Sequence, residues 1–191
     1  MDGDIAFRRL SADDFASLFS WLLRPHVAKW YASAPSSYTE VVAKYGPRTQ
    51  AGSAVEAYVI VVDGKDAGYI QTYSIDAFPE YAAQLGAEPG AAGMDLFIGE
   101  EMLLGWGLGT RAIRRFVDEV VFAPPLTTTC LAGPAEGNAA SIRAFGKAGF
   151  QPWKTVKNER GESECVMRLE RPAPESPRPL PLLGPGILDE L

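Results

Sequence analysis

The sequence predicts one domain in which a β-sheet is layered with helices, of the α/β or α+β class. The most specific observation is a hairpin, because two β-branched runs, 55–62 and 67–73, flank the turn residues Asp63-Gly64. A second observation is the order strand, glycine-rich turn, helix over residues 93–122. The third is the succession of strand and helix patterns along the rest of the chain, without an internal repeat. At 191 residues the chain is long enough to bury a sizeable core.

Each element is predicted from a local pattern. Short apolar runs rich in β-branched residues predict strands over residues 5–10, 55–62, 67–73, 93–98, 127–132, 150–157 and 163–169. Apolar residues at helical spacing predict helices over residues 15–23, 39–45, 111–122 and 139–148. Ser11 and Asn138 are suitable N-cap residues, Pro25 ends the first helix, and Gly149 closes the last.

Two stretches lack these patterns. Residues 75–92 are punctuated by proline and glycine, and we expect an irregular segment that is either a substrate loop or a plain connection. Residues 171–191 are rich in proline and hold little else that could pack. The predicted organisation is therefore a domain over residues 1–170 and a proline-rich tail over residues 171–191 that is extended or disordered.

Composition and charge exclude several classes of function. A net charge of −6 and a pI near 4.9 argue against nucleic acid as a partner and are compatible with a small cationic substrate. The longest apolar run, 58–62, is far too short to cross a membrane. The start Met1-Asp2-Gly3-Asp4 is acidic and does not resemble a secretory signal. We therefore expect no membrane partner and a cytoplasmic location.

The cysteines and the histidine give no sign of a metal centre. Cys130 and Cys165 lie in predicted strands and are interpreted as reduced core thiols. His26 is the single histidine of the sequence, so a histidine-rich metal site is impossible and a Cys/His dyad has little support. We expect no metal cofactor, and the sequence leaves monomer and homodimer open.

The glycine-rich turn, Leu104-Gly105-Trp106-Gly107-Leu108-Gly109-Thr110, leads directly into a predicted helix. Backbone N–H groups at a helix N-terminus bind phosphate, and glycine lets that backbone approach a ligand closely. The turn is not a P-loop, because no lysine precedes Thr110, and its glycine spacing does not fit the dinucleotide fingerprint. From the residues alone, a phosphate site and an ordinary glycine turn both remain open.

Two motifs together resemble the GNAT acetyltransferases. The glycine-rich turn is similar to their pyrophosphate loop, Gln/Arg-x-x-Gly-x-Gly/Ala, with Leu104 at the usual polar position. About thirty residues downstream, residues 138–150 resemble the motif Asn-x-x-Ser/Ala-x-x-x-Tyr/Phe-x-x-x-Gly-Phe. This resemblance covers roughly residues 5–170. It implies an α+β fold with a central mixed, mostly antiparallel, twisted sheet of about seven strands flanked by about four helices.

Within that superfamily the sequence is most similar to the aminoglycoside 6'-N-acetyltransferases. Residues 68–73, GYIQTY, resemble their Gly-Tyr-x-Gln-Ser-Tyr strand, and residues 26–30, HVAKW, resemble their His-Ile-Val-Glu-Trp. Gly93-Met94-Asp95 matches their Gly-Ile-Asp. The resemblance implies direct transfer of the acetyl group of acetyl-CoA to a primary amine in a ternary complex. It also implies an aminoglycoside-like cationic substrate, acetylated on its 6'-amine, and hence a part in antibiotic resistance.

The resemblance also assigns roles to individual residues. By position, Asp95 binds the amine and helps to take its proton, whereas the residues alone also allow a solvated acid at a strand edge. The implied coenzyme-binding residues are Phe97, Ile98, Leu104, Gly105, Trp106, Gly107, Leu108, Gly109, Thr110, Asn138 and Phe145. Of these, the residues of the 93–98 strand act through a backbone N–H that polarises the thioester carbonyl. The implied substrate-binding residues are Trp30, Tyr73, Glu80, Tyr81, Asp95 and Glu136.

Three departures from the family pattern weaken the aminoglycoside assignment more than the use of acetyl-CoA. Phe145 stands where the family often has a tyrosine held to reprotonate the leaving thiolate. Residues 133–136, GPAE, replace an Asp-Pro-Ser-Pro type of turn, so a pocket acid is missing unless Glu136 replaces it. Tyr81 is the nearest substitute for an aromatic pair in the substrate loop.

Two other functions remain open. The first is a GNAT acyltransferase acting on another small metabolite, a siderophore precursor or a protein N-terminus. Siderophore relatives tend to carry histidine at the strand position of Asp95, which disfavours that substrate. The second is a catalytically silent acetyl-CoA-binding interaction module, which Phe145 and the proline-rich tail favour.

Overall fold

The computed structural model describes residues 3–31, 35–158 and 161–173. Its centre is one seven-stranded sheet in the order β1-β2-β3-β4-β5-β7-β6, in which the β4–β5 pair is parallel and the other pairs are antiparallel. The strands are β1 (Ile5–Arg9), β2 (Val55–Val62), β3 (Lys65–Ser74), β4 (Ala92–Ile98), β5 (Thr129–Ala132), β6 (Gln151–Lys157) and β7 (Ser163–Glu170). The predicted α+β class and the mixed, mostly antiparallel sheet are confirmed.

Six α-helices accompany the described part of the sheet: α1 (Phe15–Leu22), α2 (Pro25–Ala28), α3 (Tyr38–Tyr45), α4 (Pro79–Leu85), α5 (Leu108–Phe116) and α6 (Ala139–Lys147). The sequence pattern did not predict the short helices α2 and α4. Both begin at a proline, which stops a preceding helix but also fits the first turn of a new one. Residues 75–92 are therefore less irregular than expected, and α4 ends at Gly86 in the left-handed conformation.

The sheet carries apolar clusters on both of its faces because successive side chains of a strand point to opposite sides. In β3, Tyr69 packs against α1 and α3, whereas the next residue, Ile70, belongs to the cluster under α5. In β4, Phe97 lies in the cluster with α1 and α3, and Met94 lies in the cluster under α5. Cys130 is buried and Cys165 half-buried, and both are free thiols, as expected.

Strands β4 and β5 pair over a short distance and then separate. Their register contains Ala92↔Cys130 and Gly93↔Leu131, whereas β3 pairs with β4 along the whole length of β4. Beyond Gly93, none of the strands in the described residues lies beside the edge of β4 that faces β5. The result is a gap in the middle of the sheet, open on the side where β4 leads to the glycine-rich turn.

The last described segment leaves the sheet at β7. Arg171 donates from its backbone N–H to the Thr128 carbonyl at 2.7 Å. Residues 174–191 lie outside the described residues, so the extended or disordered tail stays a prediction. Within the described part of the chain, the helices are too short or too polar to cross a membrane.

Candidate active site

A cavity of about 450 Å³ occupies the gap between the two halves of the sheet. One wall is formed by residues near α2 and α3, namely Trp30, Tyr31, Lys44 and Arg48. The floor comes from β3 and β4 with Gln71, Met94, Asp95 and Leu96. The opposite wall comes from α6 and from the β6–β7 hairpin with Asn138, Phe145, Asn158, Glu162 and Glu164. The predicted residues Trp30, Asp95, Asn138 and Phe145 thus line one cavity.

Asp95 lies on β4 directly opposite Gln71 on β3. Gln71 donates from Nε2 to Asp95 Oδ2 at 2.6 Å, across the sheet. Burial raises the pKa of Asp95 above its usual value, while the Gln71 hydrogen bond and the positive charges of Arg48 and Lys44 lower it in part. The carboxyl group is therefore not a solvated acid at a strand edge but a half-buried acid at the base of a cavity.

A network behind Gln71 connects this carboxylate to a buried tyrosine and an arginine. Arg48 donates from Nη1 to the Tyr69 hydroxyl at 2.9 Å and also to Gln71 Oε1. The Tyr69 hydroxyl in turn donates to Gln71 Oε1 at 2.6 Å. Burial raises the pKa of Tyr69 far above that of a free tyrosine, so this hydroxyl remains protonated and able to donate.

The free edge of β4 offers backbone N–H groups to the cavity. Gly99 donates its N–H to the Ala67 carbonyl at 2.8 Å. In an antiparallel pair every second residue bonds to the same neighbouring strand, so the backbone groups of Phe97 and Asp95 also bond to β3. The backbone groups of Leu96 and Ile98 then face the opposite side, toward the gap. In agreement, His26 Nε2 lies 3.1 Å from the Ile98 carbonyl oxygen on that side.

This register separates the strand residues that the family resemblance grouped together. Ile98 presents its backbone to the gap, and Leu96, which sequence reasoning missed, does so as well. Phe97 instead uses its N–H within the sheet, and its buried ring stacks on Tyr69 with centroids 5.5 Å apart. Alternation along the strand shows that Phe97 points its backbone groups to the side opposite from those of Leu96 and Ile98. The sequence could not show which of the two sides pairs with β3 and which faces the gap.

Besides Asp95, the acids of the cavity come from β7 and from the turn before it. Glu164 is half-buried, and burial raises its pKa, with a further contribution from the negative charge of Asp95. Glu162 lines the same wall. The predicted acids do not line the cavity: Glu80 is exposed on α4, and Glu136 is exposed in the turn before α6. Sequence reasoning missed Glu164 because it placed the residue only within a strand.

The predicted aromatic residues occupy two depths. Trp30 and the neighbouring Tyr31, which the sequence reasoning did not single out, line the cavity directly. Tyr73 packs its ring against Gly93, where a Cβ atom would lie 2.4 Å from ring carbons. Tyr81 forms a hydrogen bond with Tyr73. Tyr73 lies on the same face of the sheet as Gln71 and Asp95, beside the floor rather than in the lining. Burial raises the pKa of Tyr73 and Tyr81, and the negative charge of Asp95 adds to this effect.

The glycine-rich turn forms an exposed N-terminus for α5. Gly105 and Gly107 have φ angles of 81° and 76°, and no atom lies within 4 Å of the position that a Cβ would take at either residue. The N–H of Arg111 makes the first intrahelical contact, to the Gly107 carbonyl at 3.2 Å. The preceding amides, from Leu108 to Thr110, therefore belong to the first helical turn, whose N–H groups have no intrahelical acceptor.

Two side chains of this turn point to solvent. Leu104 and Trp106 have exposed fractions of 40% and 61%. Leu108, the first residue of α5, is buried, and Thr110 donates from Oγ1 to the Ala144 carbonyl of α6 at 3.4 Å. The turn thus offers backbone rather than side-chain polar groups, on a helix that packs against α6.

Helix α6 contributes two residues to the cavity. Asn138 caps the helix, since its Oδ1 accepts the Ser141 N–H at 3.1 Å. Phe145 is buried and packs edge-on against Phe150 with ring centroids 5.1 Å apart. At this position the cavity has an apolar wall and no hydroxyl. In the part of the chain that the structure describes, no group of three or more histidine, cysteine or acidic residues could hold a metal ion.

Comparisons with known proteins agree with this geometry. The family profile described as "Acetyltransferase (GNAT) domain" matches residues 11–158. An aminoglycoside N(6')-acetyltransferase type 1 from Klebsiella pneumoniae is 30% identical over 169 residues, which cover 87% of this chain and 84% of that protein.

Solved structures of similar proteins extend the likeness to three dimensions. The aminoglycoside acetyltransferase AAC(6')-Ib in complex with coenzyme A superposes with a TM-score of 0.75 at 29% identity, over 88% of this chain and 95% of the other. The same enzyme in complex with coenzyme A and kanamycin gives a TM-score of 0.74 at 29% identity, with the same coverage.

Proposed function

Because this chain belongs to the GNAT acetyltransferase family, we propose that it acetylates a primary amine of an aminoglycoside-like cationic substrate, most specifically the 6'-amine. The acetyl group comes from acetyl-CoA and moves by direct attack of the amine in a ternary complex. The observation that carries this proposal is the half-buried Asp95 at the base of a cavity that opens into the β4–β5 gap. The cytoplasmic location expected from the sequence is part of the proposal, and cell fractionation tests it.

The N-terminus of α5 fits the diphosphate of coenzyme A. Amides of the first turn, from Leu108 to Thr110, donate hydrogen bonds to its oxygens, and the helix dipole favours the negative charge. Gly105 and Gly107 leave this backbone uncovered, since neither residue carries a side chain. Because these donors belong to the backbone, the apolar Leu104 at the usual polar position does not remove them. When bound, acetyl-CoA supplies an activated acetyl group.

The edge of β4 fits the thioester. The N–H groups of Leu96 and Ile98 face the gap, where either can donate to the thioester carbonyl as negative charge develops on its oxygen. His26, close to the Ile98 carbonyl at 3.1 Å, holds this edge in position from α2. The buried ring of Phe145 excludes water on the facing wall.

Asp95 fits the amine. An alkyl ammonium has a pKa near ~10, so the amine must lose a proton before it can attack at neutral pH. The Asp95 carboxylate attracts and orients the ammonium group, and it accepts the proton directly or through a water molecule. Burial raises the pKa of Asp95, which makes it a better base than an exposed aspartate. Glu164 and Glu162 provide negative charge for the remainder of a cationic substrate.

The nature of the relatives supports an aminoglycoside-like amine. The similar Klebsiella pneumoniae protein is named an aminoglycoside N(6')-acetyltransferase, and the similar AAC(6')-Ib has been solved with kanamycin. Three acids of this cavity, Asp95, Glu162 and Glu164, suit a substrate with more than one amino group.

A thiol-release assay tests the proposal. The purified chain is incubated with acetyl-CoA and a panel of amines that contains kanamycin, ribostamycin, simple polyamines and peptide N-termini. We expect coenzyme A thiol to appear with the aminoglycosides and the product to carry one acetyl group on its 6'-nitrogen by mass spectrometry and NMR. Binding of coenzyme A without thiol release from any amine would instead identify a silent binding module.

A further inference from the structure

We propose that Arg48 is a positioning residue for Asp95, acting through Gln71, so that the carboxylate is kept ionised and oriented toward the cavity. This inference rests on the proposed function only for its catalytic consequence. Arg48 belongs to the turn Gly46–Thr49 after α3 and reaches Asp95 by no direct hydrogen bond among the described residues. Its effect must therefore pass through Gln71 and through its positive charge.

The Gln71 amide can face Asp95 in two ways. In the structure its nitrogen donates to Asp95 Oδ2 at 2.6 Å, and its oxygen receives Arg48 and Tyr69. If the amide turned over, its oxygen would meet the carboxylate, and two acceptors would repel each other. Such a reversed amide would accept a hydrogen bond only from a neutral carboxylic acid. The orientation of Gln71 therefore determines which protonation state of Asp95 is stabilised.

Of the two groups that contact the Gln71 oxygen, Arg48 alone fixes this orientation. A tyrosine hydroxyl can donate or accept, so Tyr69 would tolerate either face of the amide. A guanidinium group can only donate, so it excludes the amide nitrogen from its side. Arg48 itself is held in place, because its guanidinium carbon lies 4.6 Å from the centre of the buried Tyr45 ring.

The charge of Arg48 acts in the same direction as this hydrogen-bond relay. Burial raises the pKa of Asp95, and the positive charges of Arg48 and Lys44 oppose that rise. Other titratable groups surround Asp95, whose negative charge adds to the effect of burial in raising the pKa of each, namely Tyr31, Tyr45, Tyr69, Tyr73, Tyr81, Cys130 and Glu164. The tyrosines and the cysteine are neutral near neutral pH because burial raises their pKa, whereas an ionised Glu164 would favour protonation of Asp95.

The substitution Arg48→Met removes the donor and the charge but keeps an elongated side chain. We expect Asp95 to titrate at a higher pH than in the wild type. The titration is measured by NMR from the Asp95 carboxyl ¹³C signal, which is identified by its absence in Asp95→Asn. Acetylation should then lose about tenfold in kcat/KM on the acidic side of the wild-type pH profile and recover as the pH rises and Asp95 ionises in the variant as well. Arg9→Met, which removes an exposed arginine of β1 paired with Glu56, is the matched control and should leave both measurements unchanged.

Three further variants separate positioning from a general loss of structure. Arg48→Lys keeps a donor-only group and should restore most of the wild-type titration, whereas Tyr69→Phe should leave the Asp95 titration near the wild type. Gln71→Leu should shift the titration in the same direction as Arg48→Met and provides the test if Arg48→Met does not fold. Arg48→Met should shift the Asp95 titration less in the Gln71→Leu background than in the wild type, because the hydrogen-bond path from Arg48 through Gln71 is already broken.

The NMR titration needs neither acetyl-CoA nor an amine, so it tests the inference even if no substrate is turned over. An Asp95 titration in Arg48→Met that superimposes on that of the wild type would overturn the proposal. A loss of activity of equal size at every pH, or a change in KM for the amine alone, would likewise assign Arg48 to direct substrate contact or to general stability instead.

Discussion

The two ends of the proposed site are built in different ways. The coenzyme end, at the start of α5, consists of backbone amides and glycines that are consecutive in sequence, with the side chains of Leu104 and Trp106 directed to solvent. The amine end consists of side chains that converge on Asp95 from elements far apart in the chain. A backbone site is set by local conformation, whereas a side-chain site is set by the register of strands and by the packing of helices onto them.

This difference predicts that substitutions at the two ends separate in their effects. Changes at the amine end should alter the pH dependence and the dependence on amine concentration while coenzyme A still binds. Changes at the coenzyme end should weaken coenzyme A while the titration of Asp95 stays the same.

Asp95→Asn should have the largest effect. The asparagine keeps the shape of the side chain but can neither accept the amine proton nor attract an ammonium ion. We expect kcat/KM for the amine to fall by about 10²–10⁴-fold, measured by thiol release. The dissociation constant for coenzyme A, measured by calorimetry, should stay within about twofold of the wild type. An equal loss of coenzyme affinity would show that the two ends are not independent.

The acidic side of the pH profile should depend on Asp95. The ionised carboxylate is the active form, so kcat/KM for the amine should fall as the pH decreases, by about tenfold per pH unit once Asp95 is mostly protonated. Because burial raises the pKa of Asp95, this fall should begin at a higher pH than for an exposed aspartate. Binding of coenzyme A to the free protein should not follow this profile. A profile that Asp95→Asn leaves unchanged would assign the titration to another group.

Gly107→Ala should affect the coenzyme end. Gly107 has a φ of 76°, a left-handed conformation that costs an alanine about 1–2 kcal/mol. The turn should relax away from this conformation, and we expect affinity for coenzyme A to fall by about tenfold at most. Gly146→Ala is the matched control, because Gly146 lies in α6 with open space around it and without a positive φ. That change should leave coenzyme binding intact and raise the melting temperature.

Glu164→Gln should have a smaller effect, confined to the amine. The glutamine keeps the side-chain shape and removes one negative charge from the cavity wall. We expect KM for a cationic amine to rise several-fold, with little change in kcat. This rise corresponds roughly to the free energy that an exposed or half-buried ion pair contributes to binding. The same substitution at the exposed Glu80 should change KM less. A larger effect at Glu80 would favour the assignment from the family resemblance over the cavity seen here.

The contrast between the two ends also explains what the sequence could predict. The β4 strand, the glycine-rich turn and the capped helix α6 each follow from a local pattern, and the structure places them as expected. The short helices α2 and α4 escaped prediction because Pro25 and Pro79 can either end a helix or begin one. In those places one residue carries two opposite signals, and the surrounding packing decides between them.

The residues of the amine end were harder to predict because they depend on non-local pairing. Gln71 meets Asp95 only through the β3–β4 register, and Glu164 reaches the same cavity because β7 lies beside β5. Arg48 enters from a turn after α3 that carries no motif. Glu80 and Glu136 were chosen by their likeness in position to family residues, and both side chains are exposed outside the cavity. Asp95, which does line the cavity, could be proposed from the sequence because its motif is local.

The decisive experiment is a crystal structure of the ternary complex with coenzyme A and an aminoglycoside such as kanamycin. We expect the diphosphate to accept hydrogen bonds from the amides of residues 108–110 and the thiol to lie in the β4–β5 gap. The 6'-amine should lie within hydrogen-bonding distance of Asp95, directly or through one water molecule. A coenzyme bound away from the start of α5, or an amine held outside the cavity with Asp95 uncontacted, would contradict it.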